Sequence, residues 1–519
     1  MTAELPVALD LEPLVHRATG LLCRLGLHEG DRVLTLLLNS PDALALGLAC
    51  QLAGVVQVPL YPDLPPREAA EIVADAAPHA AIIGSDVPAH ARHHLLVPPV
   101  VGDNPGSAPA PRTISPGRRP HLLDPGGLAL ERAVAPAASW PRTRPMAYTS
   151  GTTGRRKGVH VGVRDEAWGR EVVLDEYRAF EERHGGTHLV VSPLPHSGPF
   201  RFAFVTAFLG GRVAVLPRFD PDLLRETLRS VRPTSFFCVP TQLHRLMSLP
   251  ATTRDDLASL TLLAHAGARC PARLKERVLE LAPEGSVWEF YGSTEGQFSV
   301  CPPRVWQEAP GTVGRARPDR RLEIRDGHTT PSASSATDVP DTGRPAPRPS
   351  SRRSGRSLPA GKVGTVWVRA PEHASWHYWR NPRRTTAAWD GDAFTVGDLG
   401  RLDEEGRLFL EGRPGDLVIS GGVNIYPAEV ERWLLEYPAV AEAVVFGVPD
   451  EEWGERLVAA VIPRRGCHLT PEGLREHCRE GLHRAKVPKQ VFVVDDLPRT
   501  VTGKLSRAGL AQALGLLTG

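Results

Sequence analysis

The stretch Tyr148-Thr149-Ser150-Gly151-Thr152-Thr153-Gly154-Arg155-Arg156-Lys157-Gly158 follows a strand start and precedes a helical run from Asp165. Glycines at 151, 154 and 158 let the backbone approach a phosphate, Ser150, Thr152 and Thr153 supply hydroxyl donors, and Lys157 supplies a mobile positive charge. A loop so composed is built to hold phosphate. Lys157 is followed by Gly158 and not by Ser or Thr, so it is not a Walker loop, and a P-loop NTPase is disfavoured.

Outward from this loop, short apolar runs alternate with helix-like stretches: Arg32 to Leu38, Ala80 to Ile83, Leu189 to Ser192, Arg212 to Leu216, Thr234 to Val239 and Leu262 to His265. That rhythm predicts an α/β fold with mostly parallel, buried strands. After Leu399 the pattern changes to hairpin-like runs at Gly406 to Glu411 and Leu417 to Ser420, a helix Ala428 to Glu436, strands Val440 to Val448 and Arg456 to Ile462, and a basic helix near 471–485. This reads as a smaller α+β domain. Residues 326–360 are rich in Pro, Ser, Thr and Arg with almost nothing to bury, so a disordered surface insertion is expected. The apolar stretch Ala43 to Leu60 raises the question of a membrane span. Gln51, Gly54, Gln57 and Pro59 interrupt it, and it reads better as a buried helix, a break at Gly54 and a strand Val55 to Pro59.

A chain of 519 residues exceeds one compact core, so two domains are expected. Sixty-one Lys plus Arg nearly balance 59 Asp plus Glu, which argues against a nucleic-acid binder and for a small-molecule enzyme. Seven scattered cysteines suggest neither a zinc knuckle nor a disulfide framework, and the N-terminus shows no export signal; a cytoplasmic setting is expected.

The loop at 148–158 resembles the phosphate loop of the adenylate-forming superfamily of acyl-CoA synthetases, nonribosomal peptide adenylation domains and luciferases. Four more motifs follow in that family's order, so the resemblance covers roughly residues 15 to 515. In Tyr291-Gly292-Ser293-Thr294-Glu295-Gly296 the resemblance implies that Tyr291 stacks on adenine, Thr294 contacts the α-phosphate, and Glu295, with Thr152, holds Mg²⁺. Upstream, Ala266-Gly267-Ala268 resembles the segment beside adenine and acyl group. In Thr395-Val396-Gly397-Asp398-Leu399, Asp398 matches the carboxylate that takes both ribose hydroxyls, and Arg413 matches a second ribose contact. Residues 412–416 match the hinge of a mobile small domain, and Gly421 and Gly422 line the pantetheine route. Lys504, in Pro498-Arg499-Thr500-Val501-Thr502-Gly503-Lys504, matches the lysine that bridges α-phosphate and carboxylate. His196, in Pro193-Leu194-Pro195-His196, matches a gate beside the acyl carboxylate.

The resemblance implies a large N-terminal domain of layered α/β sheets with a small β-barrel-like part over 1–411, then a mobile α+β domain over 417–519. It implies an ATP-dependent acyl-CoA synthetase using Mg²⁺ and coenzyme A, acting on a fatty or bulky hydrophobic acid, because no acidic residue clearly offers an anchor for an amino-acid ammonium. Catalysis falls to Lys504, His196 and Glu295, and nucleotide and CoA binding to Thr149 through Gly154, Lys157, Gly267, Ala268, Tyr291, Gly292, Thr294, Asp398, Arg413, Gly421 and Gly422. Three positions depart from the pattern: Arg156 for proline, Val396 for threonine and Gly415 for Asp or Lys. They leave open a protein with only the thioester half-reaction. Separately, the thiol could belong to a carrier-protein pantetheine, and a non-catalytic nucleotide or acyl-CoA binder is an alternative that retention of Lys157, Glu295, Asp398 and Lys504 argues against.

Overall fold

The computed structural model describes residues 5–89, 91–92, 120–149, 156–250, 252–326, 355–412, 417–420, 423–450, 454–482, 484–499 and 507–516. These fall into two compact units. The first runs to Arg321 and includes Arg369–Phe394; the second starts at Leu322, includes residues up to Val368, and resumes from Thr395.

Two sheets organise the first unit. One is a four-stranded parallel sheet in the order Val56–Pro59, Arg32–Leu36, Ala80–Gly84, His121–Leu123. The other has seven strands: Arg212–Val215, Thr187–Val190, Ser235–Cys238, Leu262–His265 and Val287–Gly292 run parallel, and Gln297–Cys301 and Arg315–Ala316 close it antiparallel. The parallel strands are almost wholly buried, as their unbroken apolar runs predict. Strand ends differ from the sequence reading by one or two residues, since burial continues past the last ladder bond.

The apolar stretch at 43–60 resolves as expected. Ser40 caps the helix Pro41–Leu52 by accepting from the Ala43 amide at 3.1 Å, and the strand Val56–Pro59 follows Gly54. Twelve residues rise about 18 Å, well short of a roughly 30 Å bilayer core. No helix among the described residues is long and apolar enough to cross a membrane. Leu44 and Leu48 of this helix share a core with Phe200, Ala203 and Phe204 of the helix Ser197–Phe208, which fixes the latter against the sheet.

In the second unit Gly364–Arg369 pairs with Leu399–Leu402, which pairs with Leu408–Gly412. The run read as starting at Gly406 thus begins at Leu408 and forms its hairpin with the preceding strand. A five-stranded sheet follows in the order Val423–Ile425, Val418–Ser420, Gly454–Pro463, Val440–Asp450, with Gln490–Val493 parallel on Gly454–Pro463. Helices Pro427–Glu436 and Pro471–Gly481 bury Val430, Leu434, Leu474 and Cys478 with Val445, Leu457 and Val491. The end of the stretch 326–360, expected to be disordered, is paired: Ser357 bridges Arg325, and the Leu358 amide donates to Ile324 at 2.7 Å. Its residues 327–354 lie outside the described residues, as do the hinge positions 413–416, Gly415 among them.

Candidate active site

The phosphate-loop stretch is held at both ends. Tyr148–Thr149 and Lys157–His160 form an antiparallel pair, with Tyr148 opposite Gly158 and Thr149 opposite Lys157. Both flanks are tied to one helix, Pro66–Ala76: the Tyr148 hydroxyl donates to Asp75 at 2.6 Å, and Arg156 Nε donates to Glu68 at 2.6 Å. Burial and the neighbouring Asp75 push the Tyr148 phenol far up, so it stays a donor. Arg156, a departure from the family pattern, is thereby an anchor. Ser150, Gly151, Thr152, Thr153 and Gly154 lie outside the described residues.

On the other side of this hairpin His377–Tyr378 pairs with His160 and Val159. It places Tyr378 between two residues singled out by sequence. The Lys157 ammonium lies over the Tyr378 ring, 4.5 Å from its centroid, and the Tyr378 hydroxyl donates to Glu295 Oε1 at 2.8 Å. Tyr378 and Glu295 are both buried. Nothing in the sequence reading named Tyr378; the aromatic run Trp376, Tyr378 and Trp379 is the signal that could have found it.

Glu295 sits in a tight turn after the strand Val287–Gly292. The Ser293 amide donates to Gly296 O at 2.7 Å, and the Glu295 amide donates to Ser293 Oγ at 3.2 Å. A Cβ at Gly292 would fall 2.7 Å from Gly296 O, so the turn closes only on glycine. Tyr291 is buried edge-on to Phe298, with ring centroids 4.9 Å apart. Gly267 and Ala268 follow the strand Leu262–His265 in an exposed turn, with Gly267 at φ 92°.

His196 caps the helix Ser197–Phe208, and its Nδ1 is hydrogen-bonded to the hydroxyl of Tyr61. Burial raises the Tyr61 phenol, which therefore keeps its proton and can donate to that nitrogen. His196 and Thr294 share a cavity of about 50 Å³ with Gln51, Arg144, Phe200 and Arg201. Tyr61, Arg144 and Arg201 were not anticipated, because their roles come from positions far apart in the chain.

Asp398 belongs to the second unit, described by itself. The Thr395 hydroxyl donates to Val366 O at 2.7 Å and accepts from the Gly397 amide at 3.0 Å, and the Val366 amide donates to Asp398 O at 2.9 Å. Gly397, at φ 87°, turns the chain there. Val396 is half-buried in the same turn. Arg413, Gly421, Gly422 and Lys504 lie outside the described residues.

Among the described residues no group of three or more His, Cys, Asp or Glu side chains could hold a metal ion by itself. Magnesium does not require one, since it is commonly bound by one or two carboxylates together with substrate phosphates. Glu295, a buried carboxylate with one oxygen fixed by Tyr378, fits that demand.

Lys157 and Glu295 are thus braced on one ring, beside the hairpin that flanks residues 150–155. The chain belongs to the AMP-binding enzyme family: that family matches residues 10–379, and the AMP-binding enzyme C-terminal domain matches residues 429–504. It is 30% identical to the indoleacetate–CoA ligase of Aromatoleum aromaticum over 98% of this chain and 93% of that protein. It is 31% identical to a feruloyl-CoA synthase of Amycolatopsis sp, with the same shares covered. Among solved structures, ATP-bound MatB from Rhodopseudomonas palustris superposes with a TM-score of 0.77 at 27% identity, covering 97% of this chain and 92% of that one. An amide bond synthetase, McbA, from Marinactinospora thermotolerans superposes with a TM-score of 0.76 at 28% identity, covering 97% and 94%. The chain is accordingly an AMP-forming acid–thiol ligase, an ATP-dependent acyl-CoA synthetase acting through an acyl-adenylate.

Proposed function

We propose that this protein activates an acid with an apolar aryl or alkyl body and passes the acyl group to coenzyme A, with both half-reactions active. The observation that carries the reading is the Lys157–Tyr378–Glu295 arrangement, which sets a cation and a fixed carboxylate beside the phosphate-loop hairpin. In the first step a carboxylate oxygen of the acid attacks the α-phosphorus and pyrophosphate leaves. Lys157 and the hydroxyls of Ser150, Thr152 and Thr153 hold the departing phosphates, Thr294 the α-phosphate, and Lys504 the approaching carboxylate. Bound Mg²⁺, held by Glu295 and Thr152, supplies neutralising charge on the phosphates. Tyr291 and the Gly267–Ala268 turn hold adenine, and Asp398 and Arg413 the ribose.

In the second step the CoA thiolate attacks the acyl carbonyl and AMP leaves. Turning about 412–416 and access past Gly421 and Gly422 serve that step. Tyr61, donating to Nδ1 of His196, keeps Nε2 as an N–H donor at the acyl end. The named relatives support an aryl acid and free CoA in place of a carrier protein. Seven unpaired cysteines support a reducing, cytoplasmic setting.

The test is a mass-spectrometric screen of acids with ATP, Mg²⁺ and CoA that scores acyl-AMP and acyl-CoA separately, run on wild type and Lys504→Ala. The variant is expected to lose acyl-AMP formation while still converting supplied acyl-adenylate to thioester. Equal loss of both steps refutes the role given to Lys504, and a wild type that forms thioester only from supplied acyl-adenylate retains only the second half-reaction.

A further inference from the structure

The charges around the helix Glu166–Ala179 do not balance. Asp175 and Glu176, both buried on that helix, are surrounded by four guanidiniums: Arg144, Arg201, Arg317 and Arg320. Two of the four use up both carboxylates. Arg320 takes Asp175 Oδ1 at 2.9 Å and Oδ2 at 2.8 Å, and Arg317 takes Glu176 Oε2 at 3.0 Å. The remaining oxygen, Glu176 Oε1, accepts from Gln297 at 2.8 Å.

Arg144 and Arg201 are left over. Apart from the Trp168 ring, 5.7 Å from Arg144, neither side chain has a hydrogen-bond or ion-pair partner among the described residues. Both are partly exposed, and both line the cavity that His196 and Thr294 share. A guanidinium keeps its proton near neutral pH, so two of them without a protein partner favour an anion. A third group acts in the same direction. Gln51, 1% exposed, lines this cavity, and its Nε2 has no hydrogen-bond partner among the described residues. The three groups line one cavity.

We propose that the acid this enzyme activates carries a second carboxylate, which Arg144, Arg201 and Gln51 take up in the cavity beside His196. The inference rests on the ligase reading above and adds the substrate class: a dicarboxylic acid, with one carboxylate reacting and the other held. An apolar body between them lies along the walls formed by Phe200 and Phe204. Arg144 and Arg201 are specificity residues, with no part in bond making.

The test uses matched pairs, hexanedioate against hexanoate and benzene-1,4-dicarboxylate against benzoate, in ATP–pyrophosphate exchange and in titration calorimetry without nucleotide. Wild type is expected to favour the diacid by roughly 10- to 100-fold in kcat/KM, the range of one charge-assisted pair. Arg144→Gln and Arg201→Gln should erase that preference, lowering kcat/KM for the diacid far more than for the monoacid and leaving the KM for ATP in place. An equal loss for both acids means that the arginines hold the reacting carboxylate, a raised KM for ATP means that they hold phosphate, and either overturns the proposal. If no acid supports exchange the ligase reading falls, while calorimetry still decides the subsite: tighter diacid binding to wild type than to Arg201→Gln supports it, and no difference overturns it. Arg201→Met adds a stability readout. Removing an unpaired charge should leave the thermal midpoint level or higher, and a marked fall would assign Arg201 to structure.

Discussion

Tyr378→Phe removes one oxygen and little else. The phenyl ring stays under the Lys157 ammonium and against Trp376, whose centroid is 4.8 Å away, so the fold around it has no reason to change. What is lost is the 2.8 Å hydrogen bond that fixes Glu295 Oε1. A hydrogen bond to a charged acceptor contributes about 1.5–3 kcal/mol, and about 2 kcal/mol corresponds to roughly 30-fold in an equilibrium or rate constant. If Glu295 holds the metal, that loss falls on metal affinity, where removing a ligand's supporting partner typically costs about 10- to 100-fold. ATP–pyrophosphate exchange measured across a Mg²⁺ series should therefore show half-saturation shifted upward by roughly 30-fold. Thioester formation from supplied acyl-adenylate should be within twofold of wild type. An unchanged Mg²⁺ requirement with exchange intact would refute the role assigned to Glu295 and to its bracing by Tyr378.

Two further outcomes concern stability. Arg317, 1% exposed, neutralises Glu176 and Asp175 at 3.0 and 3.3 Å, and burial alone would raise both carboxyls. Arg317→Met should cost about 3–5 kcal/mol, read as a lower urea midpoint; a loss under 1 kcal/mol would mean that Arg320 alone suffices. His184 is buried on the Phe180 and Phe202 rings with neither ring nitrogen hydrogen-bonded among the described residues, and burial lowers it from 6.5 to about 4. Between those pH values the unfolded chain binds a proton that the native protein does not, so stability falls as pH drops through 6.5 towards 4, by up to about 1.4 kcal/mol per pH unit for this group. His184→Leu should flatten the acid-side decline of the urea midpoint by that amount and stabilise the protein at pH 7; parallel pH curves for variant and wild type would contradict the assignment.

Much of this protein is local chemistry and was legible in one dimension. Strands buried on both faces advertise themselves as apolar runs, which is why Leu262–His265 and its neighbours stand where the alternation put them. The turn at Ser293–Gly296 and the hairpin flanking the phosphate loop are short-range structures, so the motifs that mark them survive as contiguous text. Arg156 shows the limit. Its departure from the family pattern stood out in the sequence, but its partner Glu68, 88 positions earlier, did not.

Only tertiary structure could place Tyr378 between Lys157 and Glu295, or bring Gln51, Arg144 and Arg201 around one cavity. These groups come from separate strands, loops and helices, so no spacing in the sequence encodes their convergence. Nor could the sequence reveal that Asp175 and Glu176 are already satisfied by Arg317, Arg320 and Gln297, since an excess of charge is a property of a volume and not of a segment. The phosphate-handling class was written along the chain. The place for a second anion was decided by packing, which brought two cations to one cavity where both nearby carboxylates were already taken.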